Sequence, residues 1–272
     1  MRLVGTQIVF IGAGNVATHM AQAFYHAGIE IKAVYSRTIQ SAHELAQKVK
    51  AFATNDITAI PESDIYIYCV KDDALSKMAT INSLRFPHAM HIHTSGSTPA
   101  DVFQSDYFGV IYPMQTFSKK AELDFNEVRC FIEGNNEQSL EQIRLLAESV
   151  STHVCPLNSE ARLGLHAAAV FACNFTNHCF TLAEKILMEK TGLPFKTIMP
   201  LIDETVKKVH LLPPALAQTG PAVRYDQNII KKHLDMLKDD ALIQEIYCKM
   251  SQSIHQTALE LASDNKSTNV DS

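Results

Sequence analysis

The chain has 272 residues, 46% of them hydrophobic and 19% charged, with 24 basic against 29 acidic side chains and a net charge of −5. That length holds about two domains at roughly 150 residues each, and the composition excludes a disordered chain, a biased repeat and a small disulfide scaffold. The weak negative charge, with lysine pairs dispersed at 119/120, 207/208 and 231/232, argues against nucleic acid as a partner.

From Gln7 to about Pro156, short β-branched or aromatic runs alternate with helical stretches, the pattern of βαβ units around a parallel sheet. Strands are expected at residues 8–11, 31–35, 64–70, 90–93, 109–112 and 130–133. A helix over 16–27, stopped by Gly28, joins the first two. After Pro156 the strand signal disappears. Asn158 or Ser159 can cap a helix that meets no breaker before Thr191, where Gly192 and Pro194 stop it. Leu165, Ala168, Ala172, Phe175, Cys179, Leu182 and Ile186 recur along it at steps of three and four, with Val170, Cys173 and Phe180 widening the stripe. A helix this apolar is expected to be buried, in part by a second subunit. Further helices are expected over 200–209 and 224–262, the second broken near Asp239, with a polar, frayed end from about 263. The expected architecture is α/β: a doubly wound, mainly parallel sheet over 1–156, followed by an all-α domain over 157–272.

The most informative stretch places GxGxxA between the first strand and the first helix, as Gly12-Ala13-Gly14-Asn15-Val16-Ala17. Gly12 permits the tight turn, Gly14 lets backbone approach a pyrophosphate, and Ala17 lets the helix pack closely on the sheet. Free N–H groups at the helix start then face the anion. Dinucleotide binding is the expectation, the alternative being glycines that serve only the turn. At the tip of the second strand, where a carboxylate would hold the ribose of NAD, the chain reads Ser36-Arg37-Thr38. Arg37 suits a 2′-phosphate, with the two hydroxyls beside it, so NADP(H) is the expected cofactor.

In such a sheet the later loops line the same crevice. Val70 and Lys71 follow the third expected strand and are candidate cofactor contacts, while Asp72 can cap the helix after them. Thr94 and Ser95 follow the fourth and can reach nicotinamide or substrate; Gln115 follows a later strand and is a candidate substrate contact. His91 and His93 share a sheet face, but no third ligand accompanies them and no metal is expected.

Reduction of a C=O or C=N bond needs hydride alignment and a proton donor. His166, in the first turns of the long helix, is the leading donor candidate, against a structural histidine. Asn174 lies eight residues on, roughly 80° around and about 12 Å along an α-helix, so it can border another part of the same cleft. In the Thr219 to Asp226 stretch, Thr219 can cap a helix and Arg224 can pair with a substrate carboxylate or phosphate; a capped helix with a surface Arg224–Asp226 contact explains the same residues.

The segments at residues 12–17, 34–38, 93–97, 112–117 (Tyr-Pro-Met-Gln-Thr-Phe), 166–174 and 219–224 occur in this order. Together they resemble NADP oxidoreductases with a Rossmann-like domain followed by a helical domain of unknown function. More distantly the chain is similar to pyrroline-5-carboxylate reductases, 6-phosphogluconate dehydrogenase-like enzymes and F420-dependent NADP reductases. The resemblance implies hydride chemistry in a cleft and dimerisation through the helical domain. In that family Arg224 is followed by Gly-Asp, where this chain has Tyr225-Asp226.

Six cysteines form no CxxC pair and are read as reduced, no apolar run reaches the roughly 18 to 20 residues that span a bilayer, and no export signal opens the chain; a cytoplasmic, unexported homodimer without membrane partners is expected. The expected function is hydride transfer between NADP(H) and a small anionic carbonyl or imine. The competing one is a nucleotide-binding sensor or interaction protein without turnover.

Overall fold

The computed structural model describes residues 5–267. The chain forms two compact units, Met1–Asn174 and Phe175–Ser272. The first is built on an eight-stranded sheet in the order β3-β2-β1-β4-β5-β6-β7-β8. Its strands are β1 (Gln7–Ile11), β2 (Glu30–Tyr35), β3 (Phe52–Thr54), β4 (Ile65–Tyr68), β5 (Met90–His93), β6 (Tyr107–Met114), β7 (Arg129–Gly134) and β8 (Val154–Pro156). Among the described residues only the β6–β7 pairing is antiparallel. β1, β4 and β5 are buried almost throughout, which is why they read as short continuous apolar runs rather than alternating ones. The three-residue strands β3 and β8 are too short to leave a periodic signal, and the sequence pattern does not foresee them.

Helices α1 (Asn15–His26), α2 (Ile39–Val49), α3 (Asp72–Arg85) and α4 (Glu137–Glu148) cover the sheet. α1 buries Ala17, Met20, Ala21 and Phe24, the i, i+3, i+4, i+7 stripe of an amphipathic helix. They join one cluster with Ile8 and Phe10 of β1 and Ile31 and Val34 of β2, while Val9, Ile11, Tyr66 and Tyr68 point to the other face. Sequence order reverses between β2-β1 and β4-β5, so the carboxyl ends of β1 and β4 form the switch point where ligands bind in sheets of this type.

α5 (Ser159–Ala169) closes the first unit, capped by Asn158, whose Oδ1 accepts from the Ala161 N–H at 2.9 Å. The expected unbroken helix to Thr191 is interrupted. Val170–Phe175 is wound as a π-helical turn, and α6 runs over Thr176–Thr191 to Gly192. A π turn takes in one more residue than an α turn, so the side chains after it are rotated relative to those before. The expectation of a buried helix also fails within the chain: among its described residues α6 has none that is buried.

The second unit continues with α7 (Met199–Leu211), α8 (Pro214–Ala217), α9 (Gln227–Met236) and α10 (Ala241–Ser267). The break near Asp239 is present, and the Asp240 carboxylate accepts from the Ile243 N–H at 3.1 Å to start α10. α9 starts later than expected. Its cap is Asp226, which accepts from the Ile229 N–H at 3.2 Å; Thr219 caps nothing because residues 221–225 are a turn. Tyr225 has φ +51, the left-handed region that favours glycine. Its ring stacks on His255 with centroids 4.5 Å apart, an attraction that offsets the backbone strain. α10 extends through Ser267, past the expected fraying point at 263, while residues 268–272 lie outside the described residues. Among the described residues, no helix is long and apolar enough to cross a membrane.

Candidate functional site

Gly12 adopts φ +118, donates its N–H to the Tyr35 carbonyl at 2.8 Å, and has no room for a side chain: a Cβ would collide with the Cys69 carbonyl. This close approach welds the end of β1 to the end of β4, burial pushing the neighbouring Cys69 thiol up to about 12. Gly14 is the N-cap of α1, exposed, with open space where a Cβ would stand. α1 has no side-chain cap and no acidic residue in its first turn, so its terminal N–H groups face outward uncompensated. That arrangement fits a dinucleotide pyrophosphate. Ala13 and Ala17 are buried against the sheet, Val16 is half-buried, and the Asn15 amide is committed to the Phe117 carbonyl at 2.9 Å.

One strand over, Ser36 is half-buried, whereas Arg37 and Thr38 are exposed. α2 likewise begins without a side-chain cap or an acid in its first turn. The tip of β2 therefore offers a cation and hydroxyls with no competing carboxylate, which fits a 2′-phosphate.

Val70 is half-buried and Lys71 exposed after β4. Lys71, not Asp72, is the N-cap position of α3; the Asp72 carboxylate instead accepts from the Ser97 hydroxyl. After β5, Thr94 Oγ1 donates to the Tyr68 carbonyl at 3.3 Å, and Ser95 Oγ accepts from the N–H groups of Ser97 and Thr98 at 3.1 and 2.9 Å. Both hydroxyls thus shape the loop. His91 and His93 are fully buried and hydrogen-bonded at both ring nitrogens. Nε2 of His91 donates to the Phe86 carbonyl at 2.9 Å and Nδ1 accepts from the Tyr68 hydroxyl at 2.8 Å; Nε2 of His93 donates to Pro99 at 3.1 Å and Nδ1 accepts from the Ser95 N–H at 3.1 Å. Burial pushes both imidazoles down to about 4.

His166 meets this loop from α5. Its half-buried ring lies on Gly96, where a Cβ would stand 2.6 Å from Nδ1 and 2.7 Å from Cγ, and Nδ1 is 3.1 Å from the Tyr112 hydroxyl at the end of β6. The two rings pack edge to face at 5.9 Å. Burial holds the Tyr112 phenol above its ordinary range, against a smaller opposing pull from Arg162. One turn before His166, the guanidinium of Arg162, 1% exposed, pairs with Glu133 of β7 and donates to the Thr98 carbonyl at 2.6 Å and to Ser159 Oγ at 3.2 Å. Ser159 Oγ in turn donates to Glu133 at 2.8 Å and accepts from the Ala100 N–H at 3.1 Å. This knot fixes α5 over the loop after β5. Sequence reasoning misses Tyr112, Gly96, Arg162 and Glu133 as site-builders; the i, i+4 spacing of Arg162 and His166 is the one local signal that both share a helix face.

Among the described residues, Asn174, Gln115, Thr219 and Arg224 make no side-chain hydrogen bond to this cluster. Asn174 is exposed within the π turn, so the α-helical angle expected between it and His166 does not hold. Gln115 is exposed and folds back, its side-chain oxygen accepting from the Thr116 N–H at 2.8 Å. Thr219 and Arg224 are exposed residues of the helical unit. At the opposite, amino end of the sheet a separate concavity is lined by Ser63, Arg85, Met90, Tyr107 and Gln142, but its arginine is already committed to the Ile57 and Thr58 carbonyls at 2.7 Å each.

Residues 7–86 match the family described as NADP oxidoreductase, coenzyme F420-dependent, and residues 128–254 match a domain of unknown function, DUF2520. No curated protein matches the chain. Among solved structures it is 45% identical to a candidate NADP oxidoreductase from Bacteroides fragilis, over 94% of this chain and 100% of that one, with a TM-score of 0.85. A Thermotoga maritima protein is 22% identical over 92% and 99% of the two chains, with a TM-score of 0.74. The same fold recurs in an Aspergillus terreus reductive aminase in complex with NADPH, 16% identical over 95% and 94%, with a TM-score of 0.66. The chain belongs to the family of NADP oxidoreductases to which the Bacteroides fragilis protein belongs.

Proposed function

We propose that the protein reduces a small anionic carbonyl or imine compound with NADPH, or runs the reverse oxidation. The observation that carries this reading is a half-buried imidazole, His166, held over the loop after β5 on the sheet edge that bears the uncapped, glycine-lined turn at α1. The cofactor supplies the hydride when bound. Gly12, Ala13, Gly14, Asn15, Val16 and Ala17 hold its pyrophosphate through backbone N–H groups, and Ser36, Arg37 and Thr38 hold the 2′-phosphate. Val70, Lys71, Thr94 and Ser95 border the same edge. His166 holds the proton that neutralises the substrate heteroatom as charge develops. Ser95, Gln115 and Asn174 are proposed polar contacts for the substrate, and Thr219 and Arg224 are the residues proposed for its anionic group. All six cysteines are free, which supports a reducing, cytoplasmic setting.

A second copy of the chain is proposed to cover the helical unit. Leu201, Leu211, Leu216 and Leu242 are 58–74% exposed there, an apolar surface of the kind that marks an interface.

The reading is tested by following NADPH absorbance against small oxo acids and cyclic imines. For a reduced compound, His166→Ala is expected to lower kcat by about 100-fold or more with NADPH affinity retained; unchanged turnover refutes the donor role. Arg37→Ala is expected to weaken NADPH about tenfold or more and leave NADH unaffected, as a charge-assisted phosphate contact requires.

A further inference from the structure

Two tyrosine–histidine pairs occur in the sheet unit, one between β4 and β5 and one between β6 and α5, and they differ in one respect. In the first, the Tyr68 hydroxyl meets Nδ1 of His91 at 2.8 Å while Nε2 is bound to the Phe86 carbonyl at 2.9 Å. A carbonyl only accepts, so Nε2 carries the proton and Nδ1 is the acceptor. Every polar atom of that imidazole is used, and the ring is structural. In the second, the Tyr112 hydroxyl meets Nδ1 of His166 at 3.1 Å, and among the described residues of its unit Nε2 has no protein partner.

The Nδ1 edge of His166 is closed from two sides. Gly96 lies under it so closely that a Cβ would sit 2.6 Å from the nitrogen, and Tyr112 covers it in line. His166 is half-buried, and with its Nδ1 edge occupied the edge available to a ligand is the one carrying Nε2. Tyr112 itself is buried at the end of β6, where desolvation keeps the phenol protonated. Among the described residues Nδ1 is the hydrogen-bond partner of this buried hydroxyl, and an O–H left without an acceptor there is costly, so the direction that satisfies it is from the phenol to Nδ1.

We propose that Tyr112 is a positioning residue that fixes His166 as the Nε2–H tautomer, with Gly96 as the platform that sets the ring plane, so that the one transferable proton points to the open side. This rests on the reading of His166 as proton donor. Its consequence is a neutral imidazole whose Nε2–H is aimed at the heteroatom; as that proton leaves, the Tyr112 hydroxyl passes its own proton to Nδ1, so the imidazole stays neutral and the charge ends on the phenol oxygen. The buried Glu133–Arg162–Ser159 knot keeps α5, and therefore the ring, at that register over Gly96.

The test is nitrogen-15 NMR of histidine-labelled full-length protein above the imidazole titration, with His166 assigned by its loss in His166→Gln. The expected result is a hydrogen-bonded, unprotonated Nδ1 and a protonated Nε2, relaxing in Tyr112→Phe to an averaged mixture of tautomers with NADPH affinity unchanged. With a turned-over substrate, Tyr112→Phe is expected to lower kcat about tenfold and leave KM within twofold. Gly96→Ala is expected to change the His166 resonances in the same direction. A wild-type spectrum with the proton on Nδ1, or a Tyr112→Phe spectrum equal to wild type, overturns the proposal. The spectra do not depend on turnover, so a fixed tautomer together with full activity in His166→Ala would refute the donor reading and leave the positioning intact.

Discussion

α1 of the sheet unit buries Ala17, Met20, Ala21 and Phe24 against β1 and β2, whereas α7 of the helical unit leaves Leu201 and Leu211 exposed and no residue of it is buried. The sheet supplies its own partner: each helix beside it finds a face already lined with Ile, Val and Phe. The helical unit buries Leu237 and Ile243 but leaves Leu201, Leu211, Leu216 and Leu242 exposed. The first unit is thus self-sufficient in its core, whereas the second leaves large apolar side chains exposed.

Disturbing the sheet unit should change folding, and disturbing the exposed helical surface should change association. The largest effect of a single side chain is expected for Arg162→Met. It leaves the Glu133 carboxylate without its buried partner, costing about 4 kcal/mol in urea unfolding, and adding Glu133→Gln should restore part of the loss. Next comes acid. His91 and His93 are held neutral at about 4 in the fold against 6.5 for the free side chain, so the unfolded state binds more protons between these values. Their contribution is fully present above pH 6.5 and is lost as pH falls toward 4, about 3 kcal/mol for each. Chemical denaturation at stepped pH should show this slope, and His93→Gln should flatten it. Replacing Leu201 and Leu211 together by Arg should weaken self-association about 100-fold by sedimentation velocity while leaving unfolding of the sheet unit within about 0.5 kcal/mol. A fall in sheet stability instead would break the contrast between the units. The smallest effect is expected for Tyr225→Gly. Relief of a left-handed backbone, worth about 1 kcal/mol, opposes loss of the stacking on His255, so a thermal melt should move by no more than a few degrees.

Much of the nucleotide end was legible because it is local. Gly12, Gly14 and Ala17 lie within six residues of chain, and the turn they form depends on their own backbone geometry. The six long strands and the break before α10 were legible for the same reason, since period and punctuation act over a few residues. The three-residue strands were not, because their pairing is set by neighbours distant in sequence. Nor was the start of α9, where Asp226 outcompetes Thr219 as a cap.

His166 was visible as a residue type but not as a site. Tyr112 stands 54 positions before it and Gly96 stands 70 before it, and no spacing rule links strand ends to a helix that far along the chain. The sequence by itself determined the alternation of strand and helix, the turn without side chains at α1 and the cation at the tip of β2, all of them properties of short windows. Only the tertiary structure decided which hydroxyl meets the imidazole, which glycine it lies on and which carboxylate holds its helix. Those contacts exist because the register of the sheet aligns the ends of β5, β6 and β7, and a register is a property of paired strands, not of any one segment.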